Sequence, residues 1–483
     1  MKKRLAILAL LAAFVLPAGA APYRTYTYVN ASDGIYAVEA PAAYIPADIL
    51  DAQRLGVDLQ APEDLYSDSK GNFYISDKDG GAVHAFDGSW KRRFTISSFD
   101  KNGEEDALNG PEGLCVDREG CLWVADTENQ RLLRFDANGK FLKELGAPSS
   151  PLLDENFEFF PMKFVVDDVD RIFVVCRHVY DGLVQLSLDG QFVGYVGSNY
   201  ATANWYEQFW QAIMTDEQNS KRLAFIAMEY ANICLDDSGF LYVNTAVSDV
   251  ENPIRRLNPS GEDVLMRHAV NGITKVAGDL IYPEDSPPSI VDVAVGNTGI
   301  YYALDGTRGR VFAYDEDGNM LFVFGGINTY QQGTFRQPCS LIIRGDDIYV
   351  LDRDNRSVTM FRPTDYALNI YSATRTYRES NYTESLNLWE SILKQNSNLD
   401  LAYDKAGFAL YRMGEYKTAM DYFAIANDRD NYSMAMVKYR KEWMSEHFTL
   451  CTAVLAGGIT LLVLWRIWLR RRRRRAAKGD SGQ

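Results

Sequence analysis

Histidine, serine and cysteine, the usual side chains of nucleophilic and metal-assisted catalysis, show no catalytic spacing in this chain. The four histidines, His84, His178, His268 and His447, have neither zinc-site nor catalytic-triad separations. No serine or cysteine lies in the tight strand-to-helix turn that exposes a nucleophile. The sequence therefore predicts no catalytic residue and no bound metal, and it favours a binding protein over an enzyme.

Aromatic side chains provide one candidate contact with a ligand. Trp205, Tyr206, Phe209 and Trp210 lie in residues 198–231, where apolar side chains recur at helical spacing. This segment is predicted to be a helical insert that caps one mouth of the fold. The alternative is that the four aromatic residues only pack on the structure beneath them.

A set of polar residues recurs at equivalent places in two parts of the chain. Each set has an aspartate at the end of an apolar strand, followed by a turn with asparagine and arginine. The members are Asp126, Asn129 and Arg131 in the first set and Asp352, Asn355 and Arg356 in the second. Recurrence favours hydrogen-bonded scaffolding of turns over a unique site.

These turns belong to a longer repeat between residues 61 and 362. Residues 109–141 and 337–361 align closely, each with a proline, an apolar strand, a polar turn, a second strand that ends in aspartate, and a third strand. Less regular copies begin at Ala61, Phe160, Asn232 and Pro288. The sequence thus contains six copies of one unit.

Each copy predicts a small antiparallel sheet, because short alternating strands are joined by Asp-Gly, Glu-Gly or Asn-Gly turns. One such sheet cannot bury both faces, whereas six packed around an axis bury each other. We therefore predict an all-β six-bladed propeller over residues 22–362. The last copy lacks an outer strand, and residues 23–30 are predicted to supply it and close the ring.

Residues Gly110 to Arg131 carry a Gly-Pro start, a Val-Asp strand end and a Val-Ala-Asp-x-x-Asn-x-Arg turn, and this pattern resembles the NHL repeat. The resemblance extends over residues 61–362 and is most specific in the second and sixth copies. It implies a six-bladed propeller that binds proteins, peptides or nucleic acids. Some relatives of this kind are lyases or lactonases.

The same resemblance makes Glu63, Glu112 and Asp292, near the predicted axis, candidate ligand-binding residues. Metal-dependent lactonases with six-bladed propellers use carboxylates and asparagine there, and Glu63, Glu112, Asp292 and Asn232 lie on predicted inner strands. Under this alternative Ca²⁺ would be the cofactor of a hydrolase or lyase. The lactonase glutamate precedes a Gly-Pro, whereas Glu63 and Glu112 follow proline, which favours rim or structural roles for them.

Residues 365–445 change to a helical period and resemble tetratricopeptide repeats, with Ala406-Gly407, Gly414 and Tyr416 at matching positions. Only one and a half to two repeats fit. So few repeats favour a docking stalk over a long peptide-binding groove.

The two ends of the chain predict export and anchoring. A basic start, an apolar run and small residues over 1–20 predict a cleaved signal peptide, with an uncleaved anchor as the alternative. Residues 448–469 are long and apolar enough to form a transmembrane helix. The predicted anchoring residues at its end are Arg466, Arg470, Arg471 and Arg472.

Because lysine and arginine concentrate on the cytoplasmic side of spans, residues 470–483 are predicted to be cytoplasmic and the region before the span extracytoplasmic. The formal charge of −15 includes +3 from the first 20 residues and +7 from residues 448–483, so residues 22–447 carry −25. Such a surface repels nucleic acid. We predict a membrane-anchored binding or scaffold protein with a protein, peptide or carbohydrate ligand and envelope partners, among them transporter components.

Overall fold

Short antiparallel strands repeat along most of the chain in this computed structural model. The structure describes residues 21–31, 34–153, 157–197, 229–247, 252–267, 277–283, 285–296, 298–328 and 331–479. The chain divides into two compact units, Met1–Ser372 with Lys394–Leu399 and Ala373–Leu393 with Asp400–Gln483. The predicted signal peptide lies outside the described residues.

The first unit is a six-bladed β-propeller, as the repeat predicts. The strands before the repeat are β1 (Tyr26–Ala31), β2 (Gly34–Glu39) and β3 (Tyr44–Leu50), followed by the short helix α1 (Ala52–Leu55). Blade 1 contains β4 (Pro62–Ser67), β5 (Phe73–Asp77), β6 (Ala82–Phe86) and β7 (Arg92–Ile96), and a hairpin of β8 (Ser98–Lys101) and β9 (Glu104–Ala107) follows it.

The remaining blades repeat this order from the axis outward. Blade 2 contains β10 (Pro111–Val116), β11 (Leu122–Asp126), β12 (Arg131–Phe135) and β13 (Phe141–Leu145), and blade 3 contains β14 (Pro161–Val166), β15 (Arg171–Cys176), β16 (Leu183–Ser187) and β17 (Phe192–Val196). Blade 4 contains β18 (Asn232–Leu235), β19 (Leu241–Asn244) and β20 (Ile254–Leu257), and blade 5 contains β21 (Ile290–Val295), β22 (Tyr301–Asp305), β23 (Arg310–Tyr314) and β24 (Met320–Gly325). Blade 6 contains β25 (Pro338–Arg344), β26 (Asp347–Asp352) and β27 (Ser357–Pro363).

The ring closes through an N-terminal strand, but a different one from the strand predicted. Strand β3 pairs antiparallel with β27 as the fourth strand of blade 6, with Leu50 opposite Val358 and Tyr44 opposite Pro363. The predicted segment, residues 23–30, instead contributes to β1, which pairs with β2 in a separate hairpin. The predicted closure by the N-terminal region is right, but the predicted strand is wrong. The closing strand is β3, which is nearer to blade 1 in the chain than residues 23–30 are.

Polar turns between the strands explain why each repeat forms a blade. In blade 2 the Asp117 carboxylate accepts hydrogen bonds from the backbone N–H groups of Glu119 (3.0 Å) and Cys121 (2.9 Å). Gly120 supplies the positive φ of +82° that the turn needs. Adjacent blades then bury their faces against each other, so that Tyr74 of blade 1 shares a core with Leu114 of blade 2.

Blade 4 departs most from the repeat. Among the described residues its sheet has three strands, and beyond β20 the ladder continues only as a bridge between Leu257 and Asp263. The predicted insert, residues 198–231, begins directly after blade 3 and falls largely outside the described residues.

Helices follow the propeller over the region for which the sequence predicts them. They are α2 (Asp365–Arg378), α3 (Tyr382–Gln395), α4 (Asp400–Met413), α5 (Tyr416–Ile425), α6 (Arg429–Glu446) and α7 (Phe448–Gly479). Gly407 of α4 lies against Phe423 of α5, where a Cβ atom would come 2.8 Å from the ring. This close contact explains a glycine inside a helix, and the tetratricopeptide assignment stays a prediction.

The last helix contains an exposed apolar stretch. Residues Phe448–Arg471, 24 in number, are by length and composition able to cross a membrane. Large side chains along it are exposed, among them Leu461 at 68% and Trp465 at 56%. All six cysteines, including the neighbouring Cys115 and Cys121, are free thiols.

Candidate functional site

The inner strand of each blade contacts the inner strands of its two neighbours, so β4, β10, β14, β18, β21 and β25 form a closed ring. Near the start of each inner strand, one residue lies at the ring's centre. From blade 1 to blade 6 these residues are Asp64, Gly113, Lys163, Asn232, Asp292 and Ser340. We call the five with side-chain polar groups the axial cluster.

Lys163 and Asp64 form an ion pair at the centre of this ring. The Lys163 Nζ lies 2.6 Å from the Asp64 Oδ1 and 3.4 Å from the backbone oxygen of Glu63. Both residues are buried, with 9% of Lys163 and 8% of Asp64 exposed. The pair joins blade 3 to blade 1, which are not neighbours, and such a contact is possible only across the axis.

Backbone groups of two blades further fix the Asp64 carboxylate. Its Oδ2 accepts a hydrogen bond from the N–H of Leu114 in blade 2 (2.8 Å), and its Oδ1 accepts one from Leu65 in its own strand (3.1 Å). The Ser340 hydroxyl of blade 6 donates to the same Oδ1 at 3.1 Å. One carboxylate therefore connects blades 1, 2, 3 and 6.

Asp292 holds the other side of the axial cluster. Its Oδ1 accepts from the Asn232 side-chain amide and from the N–H of Val293 (2.7 Å), and its Oδ2 accepts from the N–H of Leu341 (2.5 Å). Burial raises the pKa of Asp292 to about 7, while the charge of Lys163 opposes this rise and that of Asp64 adds to it. A proton therefore binds to this carboxyl far more readily than to an exposed aspartate.

The charges around Lys163 keep its side chain protonated. Burial by itself would lower the pKa of Lys163, but attraction to Asp64, Asp292 and Glu63 outweighs it and raises the pKa overall. When both aspartates are ionised, the axial cluster has two negative charges and one positive charge. This excess of one negative charge adds to the effect of burial, which is the main cause of the raised pKa of Asp292.

Gly113 occupies the sixth axial position for a steric reason. A Cβ atom there would overlap the backbone oxygen of Met162 and lie 2.9 Å from the Cα of Lys163. The inner strands of blades 2 and 3 thus approach too closely for any side chain. In ring order Gly113 separates Asp64 from Lys163, so its missing side chain leaves room for their contact.

Two groups of ion pairs surround the axial cluster at the start of the inner strands. Arg353 of blade 6 binds the carboxylate of Glu63 in blade 1. Glu112 of blade 2 accepts from Lys78 of blade 1 (2.7 Å) and Arg177 of blade 3 (2.9 Å). The Arg177 guanidinium also reaches Glu128 at 3.1 Å. We call these six residues the rim cluster: Glu63, Lys78, Glu112, Glu128, Arg177 and Arg353.

The recurring turn residues form hydrogen bonds that fix the turns of blades 2 and 6. Asp126 is fully buried, and its Oδ2 accepts from Asn129 (2.9 Å) and from Arg131 Nε (2.8 Å) while its Oδ1 accepts from the N–H of Asn109 (2.7 Å). Asp352 is bonded in the same way to Asn355 at 2.8 Å. Each aspartate therefore ties the turn after the second strand to the loop that enters the first strand.

Arg356 differs from its counterpart in blade 2. Its nearest described ion partner is Asp58 at 3.9 Å, and 46% of its side chain is exposed. Arg131, by contrast, contacts Asp106, Asp126 and Glu144. Of these two arginines, only Arg131 is thus part of a closed network of ion pairs.

The axial carboxylates do not fit a divalent metal such as Ca²⁺. Calcium takes six to eight oxygen ligands around one point. Here the oxygens of Asp64 and Asp292 already accept hydrogen bonds from backbone and side-chain donors, and the Lys163 ammonium lies against Asp64. Glu63 and Glu112, which are metal ligands only under the hydrolase alternative, are each bound to arginine or lysine of this chain.

A second acidic group has ligand atoms close enough for a metal but contains its own cation. Asp117, Glu119 and Cys121 have donor atoms within 4.8 Å of one another. Arg134 binds both carboxylates, at 2.7 Å from Asp117 and 2.6 Å from Glu119, and Trp123 Nε1 donates to Asp117 at 2.8 Å. Arg134 therefore offsets one of the two negative charges and occupies the place that a metal ion would need.

The structure brings some of the predicted site residues together and separates others. Glu63 and Glu112 lie in the rim cluster, and Asp292 with Asn232 lies in the axial cluster. The four aromatic residues of the insert, Trp205, Tyr206, Phe209 and Trp210, fall outside the described residues. Arg466, Arg470, Arg471 and Arg472 lie on α7, where the sequence places them.

Sequence reasoning missed Asp64, Lys163 and Ser340. Aligning the six repeats on their inner strands places these residues in one column with Asn232 and Asp292. A charged lysine between Met162 and Phe164, in a strand that is otherwise apolar, was the available signal.

Comparison with known proteins gives one partial family match. The family model described as SMP-30/Gluconolactonase/LRE-like region matches residues 40–153, which contain β3 and the first two blades. No curated protein matches the chain. The family match therefore supports the propeller over its first third.

Solved structures similar to this chain have low sequence identity. Virginiamycin B lyase from Staphylococcus aureus is 10% identical, with 66% of this chain and 99% of that chain covered and a TM-score of 0.40. A candidate gluconolactonase is 14% identical, with 67% and 94% covered and a TM-score of 0.39. The extracellular domain of a candidate hybrid two-component system from B. thetaiotaomicron is 12% identical, with 68% and 43% covered and a TM-score of 0.38. Each is a protein that this chain resembles, and none assigns it an activity.

Proposed function

We propose that this protein is a membrane-anchored, extracytoplasmic binding or scaffold protein. The propeller mouth takes a protein, peptide or carbohydrate ligand, and the helices after the propeller dock onto partners in the envelope, for which transporter components are candidates. The proposal rests on one observation above all: the carboxylates described in the axial and rim clusters are paired with donors of this chain. Carboxylates engaged in this way hold blades together and are poorly suited to activate water.

The exposed apolar stretch of α7 supports the anchor. A helix of 24 residues is long enough to cross the hydrocarbon core of a bilayer. The run of arginines at its end agrees with a cytoplasmic tail. This orientation would leave the acidic propeller outside, where its charge opposes binding to nucleic acid.

The metal-dependent hydrolase or lyase is the alternative. The family match over residues 40–153 favours it, but the internal pairing of Glu63 and Glu112 speaks against it. Purified full-length protein in detergent is assayed on sugar lactones with and without Ca²⁺. Calcium-dependent hydrolysis that Glu112→Gln abolishes would refute the scaffold function.

Photo-crosslinking from intact membranes tests the binding role. A photoreactive amino acid replaces Glu128, which is 39% exposed at the rim, and in a control chain it replaces Val193, which is 54% exposed on the outer strand of blade 3. We expect a discrete crosslinked product from position 128 that position 193 does not give. Identical products from both positions, or none from position 128, would contradict a ligand at the mouth.

A further inference from the structure

We propose that Lys163 is the structural cation of this propeller: its ammonium takes the axial place of a metal ion, which makes the fold independent of metal. The proposal concerns the axial cluster alone and does not depend on the membrane-bound binding role. The observation behind it is the Lys163 ammonium beside Asp64 and near Asp292, at the axis where the hydrolase alternative would require a Ca²⁺ ion.

The contacts of Lys163 are those expected of a central counter-ion. Its Nζ is 2.6 Å from Asp64 of blade 1 and within 3.4 Å of the Glu63 carbonyl, while the side chain starts from blade 3. Asp292 of blade 5 is the second carboxylate that attracts it. A single buried ammonium thus contacts blade 1 from blade 3 and is attracted by the carboxylate of blade 5.

Charge balance explains why a cation is needed at this point. Asp64 and Asp292 accept backbone N–H groups from blades 2 and 6, and these bonds are strongest when the carboxylates are ionised. Two buried carboxylates repel each other and are costly without a positive partner. The buried ammonium of Lys163 supplies this positive charge.

The steric arrangement shows that the lysine is built into the fold. Gly113 leaves no side chain between blade 3 and blade 1, and the backbone of Met162 and Lys163 packs directly over it. Lys163 therefore reaches Asp64 across the one axial position without a side chain. A chance surface lysine would have neither this reach nor this burial.

Removing the ammonium while leaving the carboxylates tests the proposal. In the full-length protein in detergent, Lys163→Ala is compared with Lys78→Ala, which removes a lysine of the partly exposed rim cluster. We expect the Tm of Lys163→Ala to fall by roughly 5–15 °C, and that of Lys78→Ala to fall much less. An unchanged Tm in Lys163→Ala would overturn the proposal.

Calcium provides the second readout. The wild-type Tm should be the same with EDTA and with millimolar Ca²⁺, because the Lys163 ammonium already supplies the axial cation and the carboxylate oxygens beside it already accept hydrogen bonds. A wild-type protein that Ca²⁺ stabilises, or that EDTA destabilises, would overturn the proposal.

A double variant covers the case in which Lys163→Ala does not fold. Asp64→Asn combined with Lys163→Met removes the buried pair together and leaves Asp292 free to bind a proton. We expect a higher Tm for this double variant than for Lys163→Met alone. If the two substitutions instead lower the Tm additively, Lys163 and Asp64 are not a coupled pair and the proposal fails.

Discussion

At the scale of single residues, the axis of this propeller depends on a few buried side chains that serve several blades at once. Asp64 accepts hydrogen bonds from blades 1, 2 and 6 and an ion pair from blade 3. Buried polar groups of this kind are costly when any partner is lost. Substitutions at the axis should therefore affect stability more than substitutions at the rim.

Gly113→Ala should destabilise the propeller by about 3 kcal/mol, because the new methyl group would overlap the backbone of Met162. Gly194→Ala is the matched control, since Gly194 also lies in a strand and a methyl group added there would meet no atom within 4 Å. That change should be neutral or slightly stabilising. Chemical denaturation of both full-length variants measures the difference, and equal stabilities would contradict the close approach of blades 2 and 3.

Asp292 should make stability depend on pH near neutrality. Burial raises the folded-state pKa of Asp292 to about 7, above the value of an unfolded aspartate. The folded state therefore gains stability from the protonated carboxyl. This gain is fully present below about pH 4 and is lost as the pH rises through 7. Between pH 5 and pH 8 the wild-type protein should lose about 2–3 kcal/mol more unfolding free energy than Asp292→Asn.

The test compares how the unfolding free energy of each protein changes with pH. A loss of stability in Asp292→Asn that is the same at every pH therefore does not affect it. Asp404 has a pKa that burial, together with Asp428, raises to about 7 in the helical unit, and it contributes in the same direction. It is unchanged in both proteins and cancels in the difference. Parallel pH profiles of the two proteins would mean that Asp292 does not titrate in this range.

At the scale of elements, closure by β3 is the step that completes the fold. Its pairing with β27 gives blade 6 a fourth strand and removes an exposed edge. Leu50, at the end of β3, is 2% exposed and packs with Leu351 and Val358 in one core. The chain ends of the propeller are therefore held by both backbone and side-chain contacts.

Leu50→Ala should lower the unfolding free energy by about 2–5 kcal/mol, because it leaves a cavity where blade 6 closes. Ile45→Ala, in the same strand but 36% exposed, should cost less than half as much. Denaturation followed by intrinsic fluorescence gives both values. Equal effects would indicate that β3 is not fixed against β27 in solution.

At the scale of the whole molecule, the propeller, the helices and the exposed apolar stretch of α7 define a chain with one candidate site of membrane attachment among the described residues. Large apolar side chains that stay exposed along a helix need another environment than water. In the sequence this stretch follows both the propeller and helices α2 to α6, so it can enter a membrane without interrupting either.

The full-length protein should remain with membranes after alkaline carbonate extraction, and a chain that ends at His447 should be released. Replacing Arg470 to Arg475 with glutamine is the control, since it preserves the apolar stretch and should keep the protein in the membrane pellet. Immunoblots of the pellet and the supernatant report the outcome. Release of the full-length chain would argue against a membrane span.

The sequence alone determined the local structure of this protein. Turn chemistry at residues such as Asp117 and Gly120, and strand endings such as Asp126 and Asp352, predicted six small sheets, because these interactions join residues close in sequence. The helical period after residue 365 and the apolar stretch after residue 448 were equally visible.

Only the tertiary structure decided which strand closes the ring and which side chains meet at the axis. Both β1 and β3 have strand-forming sequences, but β1 pairs with its neighbour β2, whereas β3 pairs with β27 of blade 6, more than 300 residues away in the chain. Asp64 and Lys163 are likewise 99 positions apart, and only the arrangement of blades around an axis, with Gly113 between them, brings their charges together.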